Sequence, residues 1–211
     1  MSTQRIPTAY QARIEALLQA GGRRLLGLVG APGAGKSTLA NALAQQWPAQ
    51  IQVVPMDGFH LANATLMQLG RRQRKGAPDT FDAHGFVALL KRLRTQSVDQ
   101  VVYAPNFERN LEEPIAGAIA IEAATPLVVV EGNYLLLGEH PWNQVQAFLD
   151  EVWFVDIAQD TRINRLVQRH QQFGRTAQAA ADWVRDTDEP NARRIEAEKS
   201  KADVLFRWDG A

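Results

Sequence analysis

The residues with the clearest chemical meaning form a glycine-rich run, GAPGAGKS, at residues 30–37. The run fits the pattern G-x-x-x-x-G-K-[ST], in which glycines let successive main-chain N–H groups point at phosphate oxygens. Lys36 is expected to bind the β- and γ-phosphates of a nucleotide, and the Ser37 hydroxyl to bind Mg²⁺. A glycine-rich turn beside a surface lysine is the alternative. The predicted nucleotide-binding residues here are Gly30, Gly33, Ala34, Gly35, Lys36, Ser37 and Thr38.

Two acids follow predicted strands. Asp57 comes just after the apolar run 53–55, and Glu131 ends the run 127–130. The C-terminal ends of parallel strands face the ligand crevice, so a carboxylate there can reach a bound molecule. Asp57 is predicted to accept the proton of an acceptor hydroxyl, and Glu131 to hold Mg²⁺ through water. The alternatives are an Asp-Gly turn for Asp57 and an ordinary loop acid for Glu131.

Arginines are concentrated after the run 152–157. Arg162, Arg165 and Arg169 lie three and four residues apart, so they share one helix face. Together with Arg175 they predict a small helical lid, residues 162–176, that closes over phosphates and neutralises charge in the transition state. A solvated face that pairs with acids elsewhere is the alternative.

Further side chains are candidates for an acceptor pocket. His60 lies three residues after Asp57, and the basic run 71–75 is either a solvated loop or a positive loop near an anionic ligand. The segment YAPNFER either forms a wall of the pocket or contributes aromatic residues to the core. The candidates from this segment are Tyr103, Phe107 and Arg109.

Apolar runs alternate with helical patterns along the chain. Helices are predicted at 8–20, 36–46, 82–95, 160–172 and 177–200, the last broken near Pro190. Short apolar runs that suit buried strands lie at 25–29, 51–54, 101–103, 126–130, 152–157 and 204–206. This order predicts an α/β fold with a mostly parallel sheet.

Composition narrows the classes of protein. The chain has 211 residues, which suits a single domain over 1–211 including the lid, and the formal net charge is zero. A protein that binds nucleic acid generally carries a basic excess, so no nucleic-acid partner is expected. The absence of a long apolar stretch predicts no membrane partner and a cytoplasmic location. If this protein forms oligomers, we expect a homodimer.

Other classes of nucleotide-binding protein lack support. The chain has no [NT]-K-x-D tetrapeptide of the kind that recognises guanine, and no LSGGQ-like signature of transporter ATPases. The candidate base, magnesium-side acid and lid arginines instead predict an ATP-dependent kinase that acts on a small-molecule hydroxyl. A partner-dependent regulatory ATPase is the second hypothesis. A nucleotide-binding remnant without chemistry is a weaker third.

The chain also resembles the uridine kinase, pantothenate kinase and phosphoribulokinase group of P-loop kinases, from about residue 25 to 206. Within that group it is most similar to proteins called fructose transport system kinases or nucleoside/nucleotide kinase family proteins. The segment RKGAPDTFD is similar to one in type I pantothenate kinases. The matching segments are GAPGAGKST (30–38), MDGFH (56–60), RKGAPDTFD (74–82), YAPNFER (103–109), VVVEGNYLL (128–136), the arginine-rich stretch (162–175) and KADVLF (201–206).

The resemblance implies a parallel sheet with helices on both faces. It implies that Asp57 is the catalytic base and that Arg169 and Arg175 belong to the lid. It also implies that Arg74 and Lys75 lie near the acceptor, which is expected to be a sugar or a nucleoside-like molecule.

Overall fold

Strands and helices alternate along the chain, as the apolar pattern predicts. The computed structural model describes residues 5–208, in which we find seven strands and seven α-helices. The strands are β1 (Arg24–Val29), β2 (Ile51–Pro55), β3 (Val102–Glu108), β4 (Glu113–Ile121), β5 (Leu127–Gly132), β6 (Glu151–Val155) and β7 (Val204–Phe206). The helices are α1 (Thr8–Gln19), α2 (Lys36–Gln46), α3 (Asn63–Gln68), α4 (Ala83–Arg94), α5 (Gln159–Gln172), α6 (Ala177–Trp183) and α7 (Glu189–Glu196).

The central sheet contains five strands in the order β2-β5-β1-β6-β7, and each neighbouring pair is parallel. Alternate residues of β5 face opposite sides. Val128 and Val130 pack in a core with α4, whereas Leu127 and Val129 pack in a second core with α1 and α2. A parallel sheet covered on both faces requires continuous apolar strands. The predicted fold class, α/β with helices on both faces, is therefore confirmed.

A hairpin lies outside this sheet. β3 pairs with β4 in an antiparallel two-stranded sheet, anchored at its base by the buried pair Val102 and Ile121. The sequence predicts a strand beginning at 101 but does not predict β4. The reason is composition, because β4 (EPIAGAIAI) is rich in alanine and largely exposed, so it lacks a strong strand pattern. The hairpin carries residues 107–112 at its tip.

The last helices differ from the prediction in one detail. The predicted helix over 177–200 is divided into α6 and α7 by a π-helical turn at Val184–Asp188, upstream of Pro190. Pro190 lies in the first turn of α7, two residues after the π-helical turn. The break therefore lies close to Pro190, as predicted, and takes the form of a π-helical turn. It places Asp188 beside His170 of α5, with Oδ2 and Nε2 2.8 Å apart.

Among the described residues, no helix combines the length and apolar character that crossing a membrane would require.

Candidate active site

The glycine-rich loop between β1 and α2 forms a phosphate cradle, defined here as residues 30–38. Lys36 is the first residue of α2, so the N-terminal N–H groups of this helix face the loop, where they favour an anion. Gly33 has φ of +81°, and a Cβ added there would lie 2.7 Å from Cγ of Leu166 in α5. Glycine is therefore required at this position both by the backbone and by the close approach of α5.

Lys36, Ser37 and Glu131 come together at the end of β5. Lys36 is buried, and its Nζ donates to the carbonyl oxygens of Gly30 at 2.9 Å and Ala31 at 3.2 Å. Burial lowers the pKa of Lys36 and raises the pKa of Glu131, and attraction between the two groups opposes both shifts. Ser37 Oγ donates to Glu131 Oε2 at 3.4 Å. Lys36 and Glu131 are therefore a buried cation and a buried acid beside the cradle.

Asp57 lies on the neighbouring strand end. β2 pairs with β5 so that Pro55 lies opposite Glu131, which places the turn Met56–Phe59 at the same edge of the sheet. A Cβ on Gly58 would overlap the carbonyl of Pro105 in β3. The Asp-Gly sequence therefore allows the hairpin to pack closely on the turn. Asp57 accepts a hydrogen bond at its Oδ2 from Arg109 Nη2, at 3.3 Å.

Two cavities meet at this edge. The cradle cavity, about 330 Å³, is lined by Gly33, Gly35 and Lys36–Thr38 together with Arg165. The outer cavity, about 480 Å³, is lined on one side by Asp57 and His60. Arg109 and Arg169 line both cavities, so they mark the junction.

The predicted lid arginines do not act as one set. Arg165 and Arg169 line the cradle cavity, whereas Arg175 lines the outer cavity, with its guanidinium 4.0 Å from the ring centre of Trp183. Arg162 is buried, forms an ion pair with Glu189 and donates to the carbonyl of Pro32. Its position indicates a structural role.

Arg169 is the most enclosed arginine of the junction. Burial lowers its pKa, and the neighbouring Arg109 lowers it further. Two neighbouring guanidinium groups, one of them largely buried, make a favourable position for the charge of a transferring phosphoryl group.

The predicted acceptor-pocket residues divide into two groups. His60, Lys75, Phe107 and Arg109 all line the outer cavity. Arg74 and Tyr103 do not line it. Arg74 forms an ion pair with Asp79, and Tyr103 is 55% exposed on β3.

His60 is held between two aromatic rings. Its ring centre lies 4.0 Å from that of Phe81 and 4.8 Å from that of Phe107, and its Nδ1 lies 2.8 Å from the Asp57 carbonyl oxygen. Burial lowers the pKa of His60. Because a carbonyl only accepts, Nδ1 carries a proton in this contact.

Several residues of the outer cavity are not found by sequence reasoning. Arg72 belongs to the basic run, but nothing in that run distinguishes it from Arg74. The others come from segments far apart in the chain, and even those inside matching segments are not distinguished by residue type. They are Asn133, His170, Phe173, Trp183, Asp188 and Asn191.

The cradle fits a magnesium ion through its donor chemistry. Ser37 and Glu131 supply a hydroxyl and a carboxylate, which are hard oxygen donors. Within residues 5–208 there is no cluster of three metal-ligating His, Cys, Asp or Glu side chains. Magnesium beside phosphates usually takes only one or two carboxylates, with phosphate oxygens and water completing its shell.

Known proteins share this architecture and sequence. A protein of Escherichia coli strain K12 named YggC is 37% identical over 188 residues, covering 87% of this chain and 77% of its own. A protein of Schizosaccharomyces pombe named "putative uridine kinase C227.14" is 31% identical over 209 residues, covering 94% of this chain and 88% of its own.

A solved structure gives the same result. The "putative fructose transport system kinase" of Silicibacter sp. TM1040 superposes with a TM-score of 0.85 at 36% identity, covering 98% of this chain and 100% of that one. The model of the phosphoribulokinase / uridine kinase family matches residues 25–208. The cradle, the acids at the two strand ends and these similarities agree, and the chain belongs to the phosphoribulokinase / uridine kinase family of P-loop kinases.

Proposed function

We propose that this protein transfers the γ-phosphoryl group of ATP, with Mg²⁺, to a hydroxyl of a small molecule such as a sugar or a nucleoside-like alcohol. The observation that carries the proposal is the junction of the two cavities. There Asp57 lines the outer cavity, and Arg109 and Arg169 line both. An acceptor in the outer cavity and a nucleotide in the cradle would bring their reacting atoms together at this point.

The residues support distinct parts of the transfer. The acceptor oxygen forms a bond to the γ-phosphorus as the bond from that phosphorus to the β–γ bridging oxygen breaks. The acceptor proton passes to the Asp57 carboxylate, and ADP leaves. Lys36 holds the β- and γ-phosphates, while Arg109, Arg165 and Arg169 offset the charge on the transferring group. The metal, held by Ser37 and Glu131, would neutralise phosphate charge.

Arg109 links the base to the phosphate site. In the structure it donates to Asp57, with the Arg109 side chain 45% exposed. A γ-phosphate at the junction would compete for this guanidinium, because hydrogen bonds to phosphate are charge-assisted and can be bidentate. Nucleotide binding would then free Asp57 to accept the proton of the acceptor.

The test is ADP release with ATP and Mg²⁺ against a panel of sugars, polyols, nucleosides and hydroxy acids. We expect at least one acceptor to raise turnover above background hydrolysis. Asp57→Asn should keep ATP binding but lower kcat by about 10²–10⁴-fold, the range for loss of a general base. Asp99, an exposed loop acid, provides the matched control as Asp99→Asn.

The outcomes separate the assignments. Full turnover by Asp57→Asn would contradict the role of Asp57 as base. A panel in which no acceptor raises turnover in the wild type would contradict phosphoryl transfer to these classes of alcohol.

A further inference from the structure

The outer cavity contains cationic side chains that a nucleotide in the cradle does not account for. Five cationic side chains and three carboxylates line it. Arg109 and Arg169 also line the cradle cavity, so phosphates bound there account for them. The remaining three, Arg72, Lys75 and Arg175, line only the outer cavity; we call them the outer cations.

Lys75 is hydrogen-bonded to neutral groups. Lys75 Nζ donates to the side-chain oxygen of Asn63 at 2.8 Å and to the main-chain carbonyl of Glu112 at 2.5 Å. The same Nζ lies 5.0 Å from the ring centre of Phe107. These contacts fix the position of the ammonium group, but none of them neutralises its charge.

The two arginines have even fewer partners. Arg175 lies over the ring of Trp183, and within residues 5–208 neither Arg175 nor Arg72 forms an ion pair with a carboxylate. Both side chains are only partly exposed. A guanidinium that lies over an aromatic ring can keep N–H donors available for an anion.

Within residues 5–208, the carboxylates of this cavity form no ion pair with Arg72 or Arg175. Asp57 pairs with Arg109 and is the proposed base for the acceptor hydroxyl, and Asp188 lies 2.8 Å from His170. Burial lowers the pKa of Lys75, Glu112 and Glu113 oppose that shift, and the nearby Arg72 adds to it. Arg72 and Lys75 are three residues apart and line the same cavity, so they repel each other, and an anion between them would relieve that repulsion.

We propose that the acceptor of this kinase carries an anionic group, a carboxylate or a phosphate monoester, which the outer cations bind while a hydroxyl of the same molecule faces Asp57. The inference rests on the proposed function, because it concerns the acceptor of that reaction. A cavity of about 480 Å³ accommodates a small organic molecule with both groups. Charge-assisted hydrogen bonds from arginine would give such a molecule its orientation.

Binding can be tested without turnover. With the cradle filled by Mg²⁺ and a non-hydrolysable ATP analogue, inorganic phosphate is titrated into the protein by calorimetry. Tryptophan fluorescence follows the same titration, because Trp183 lies under Arg175. We expect saturable binding in the wild type, weakened about 10- to 100-fold in Arg72→Gln and in Arg175→Gln.

The control for this titration is Arg92→Gln, which removes an exposed arginine of α4 outside both cavities. It should bind phosphate as the wild type does. Thermal unfolding shows whether each variant is folded, and two independent variants keep the test decisive if one fails to fold. Absence of saturable phosphate binding, or equal binding by all variants, would overturn the anion site.

Turnover then identifies the chemical class. Ribose is compared with its terminal phosphate monoester, and glycerol with glycerate, so that each pair differs in the anionic group. We expect the anionic member of one pair to have a kcat/KM at least about tenfold higher, and Arg72→Gln to remove that preference. The productive pair distinguishes phosphate from carboxylate.

The two proposals fail in different ways. Turnover without preference for the anionic member in both pairs would overturn the anionic acceptor while leaving phosphoryl transfer intact. Phosphate binding that depends on Arg72 and Arg175, together with no turnover of any alcohol, would contradict the proposed function while the anion site stands.

Discussion

The cradle and the outer cavity are built in different ways. One continuous segment, residues 30–38, supplies the cradle, and Glu131 on the adjacent strand completes it. The outer cavity instead draws on separated parts of the chain, with residues contributed by 57–60, 72–76, 107–112 and 169–191.

The difference separates the chemistry shared by kinases from the choice of acceptor. In the cradle, the local backbone fixes where each donor points, so its function follows from a short motif. In the outer cavity, Arg72, Lys75 and Arg175 meet only because a turn, a hairpin tip and a helix end pack together. Substitutions in the two regions should therefore affect different kinetic constants.

The two lysines provide the strongest test of this comparison. Lys36→Ala removes the cation on the β- and γ-phosphates, and we expect kcat/KM for ATP to fall by about 10²–10³-fold with any acceptor. Lys75→Gln should instead raise the acceptor KM by about tenfold and change the KM for ATP less. Steady-state kinetics with each substrate varied in turn measures both.

A different set of kinetic changes would contradict the separation between the cradle and the outer cavity. If Lys75→Gln raised the KM for ATP as much as the KM for the acceptor, the outer cavity would bind the nucleotide. Thermal unfolding of both variants checks that the kinetic changes come from folded protein.

The sequence predicts the central fold and the cradle well, for physical reasons. The strand runs at 25–29 and 126–130 are continuously apolar because both faces of the sheet are covered. The P-loop pattern carries its geometry with it, since strand, loop and helix are consecutive. The predicted helices at 36–46 and 160–172 match α2 and α5 within one residue at each end.

Prediction from sequence is weaker where tertiary contacts decide. In the basic run, Arg74 is the arginine predicted to lie near the acceptor, yet it forms an ion pair with Asp79. Arg72 lines the outer cavity instead. Both arginines belong to the same short 3₁₀ turn, and only packing decides which one faces the cavity. Arg162 shares its helix face with Arg165 by spacing, but Glu189 of α7 holds it away in a buried pair.

Two glycines test the comparison through stability. Gly33 of the cradle and Gly76 of the outer cavity both have positive φ, +81° and +104°. A Cβ at Gly76 would meet nothing within 4 Å, whereas at Gly33 it would lie 2.7 Å from Leu166 Cγ. Gly76→Ala should cost about 1–2 kcal/mol of unfolding free energy from backbone strain alone. Gly33→Ala should cost about 2–5 kcal/mol because crowding adds to that strain.

Urea unfolding of both variants measures these costs. Equal losses would show that α5 can move away from the cradle at little cost. That result would favour a mobile lid over residues 162–176. A larger loss at Gly33 would show that α5 is packed firmly on the cradle in the free protein.

The smallest effect concerns His60 and pH. Burial lowers the folded-state pKa of His60, so the unfolded chain, with its ordinary value of 6.5, binds a proton more readily. The stabilising contribution is complete above pH 6.5, decreases as pH falls below that value, and is lost below the lowered folded-state pKa. Asp57 and Glu112 favour the protonated form of His60, while Lys75 opposes it.

His60→Asn keeps an N–H donor but does not titrate. The unfolding free energy of this variant should therefore fall less steeply than that of the wild type between about pH 5 and 6.5. Urea unfolding at pH values across this range measures both slopes, and a comparison at about pH 8 gives the cost of the substitution itself. Parallel slopes would show that the ring is hydrated in solution and that the outer cavity is more open to water than the cradle.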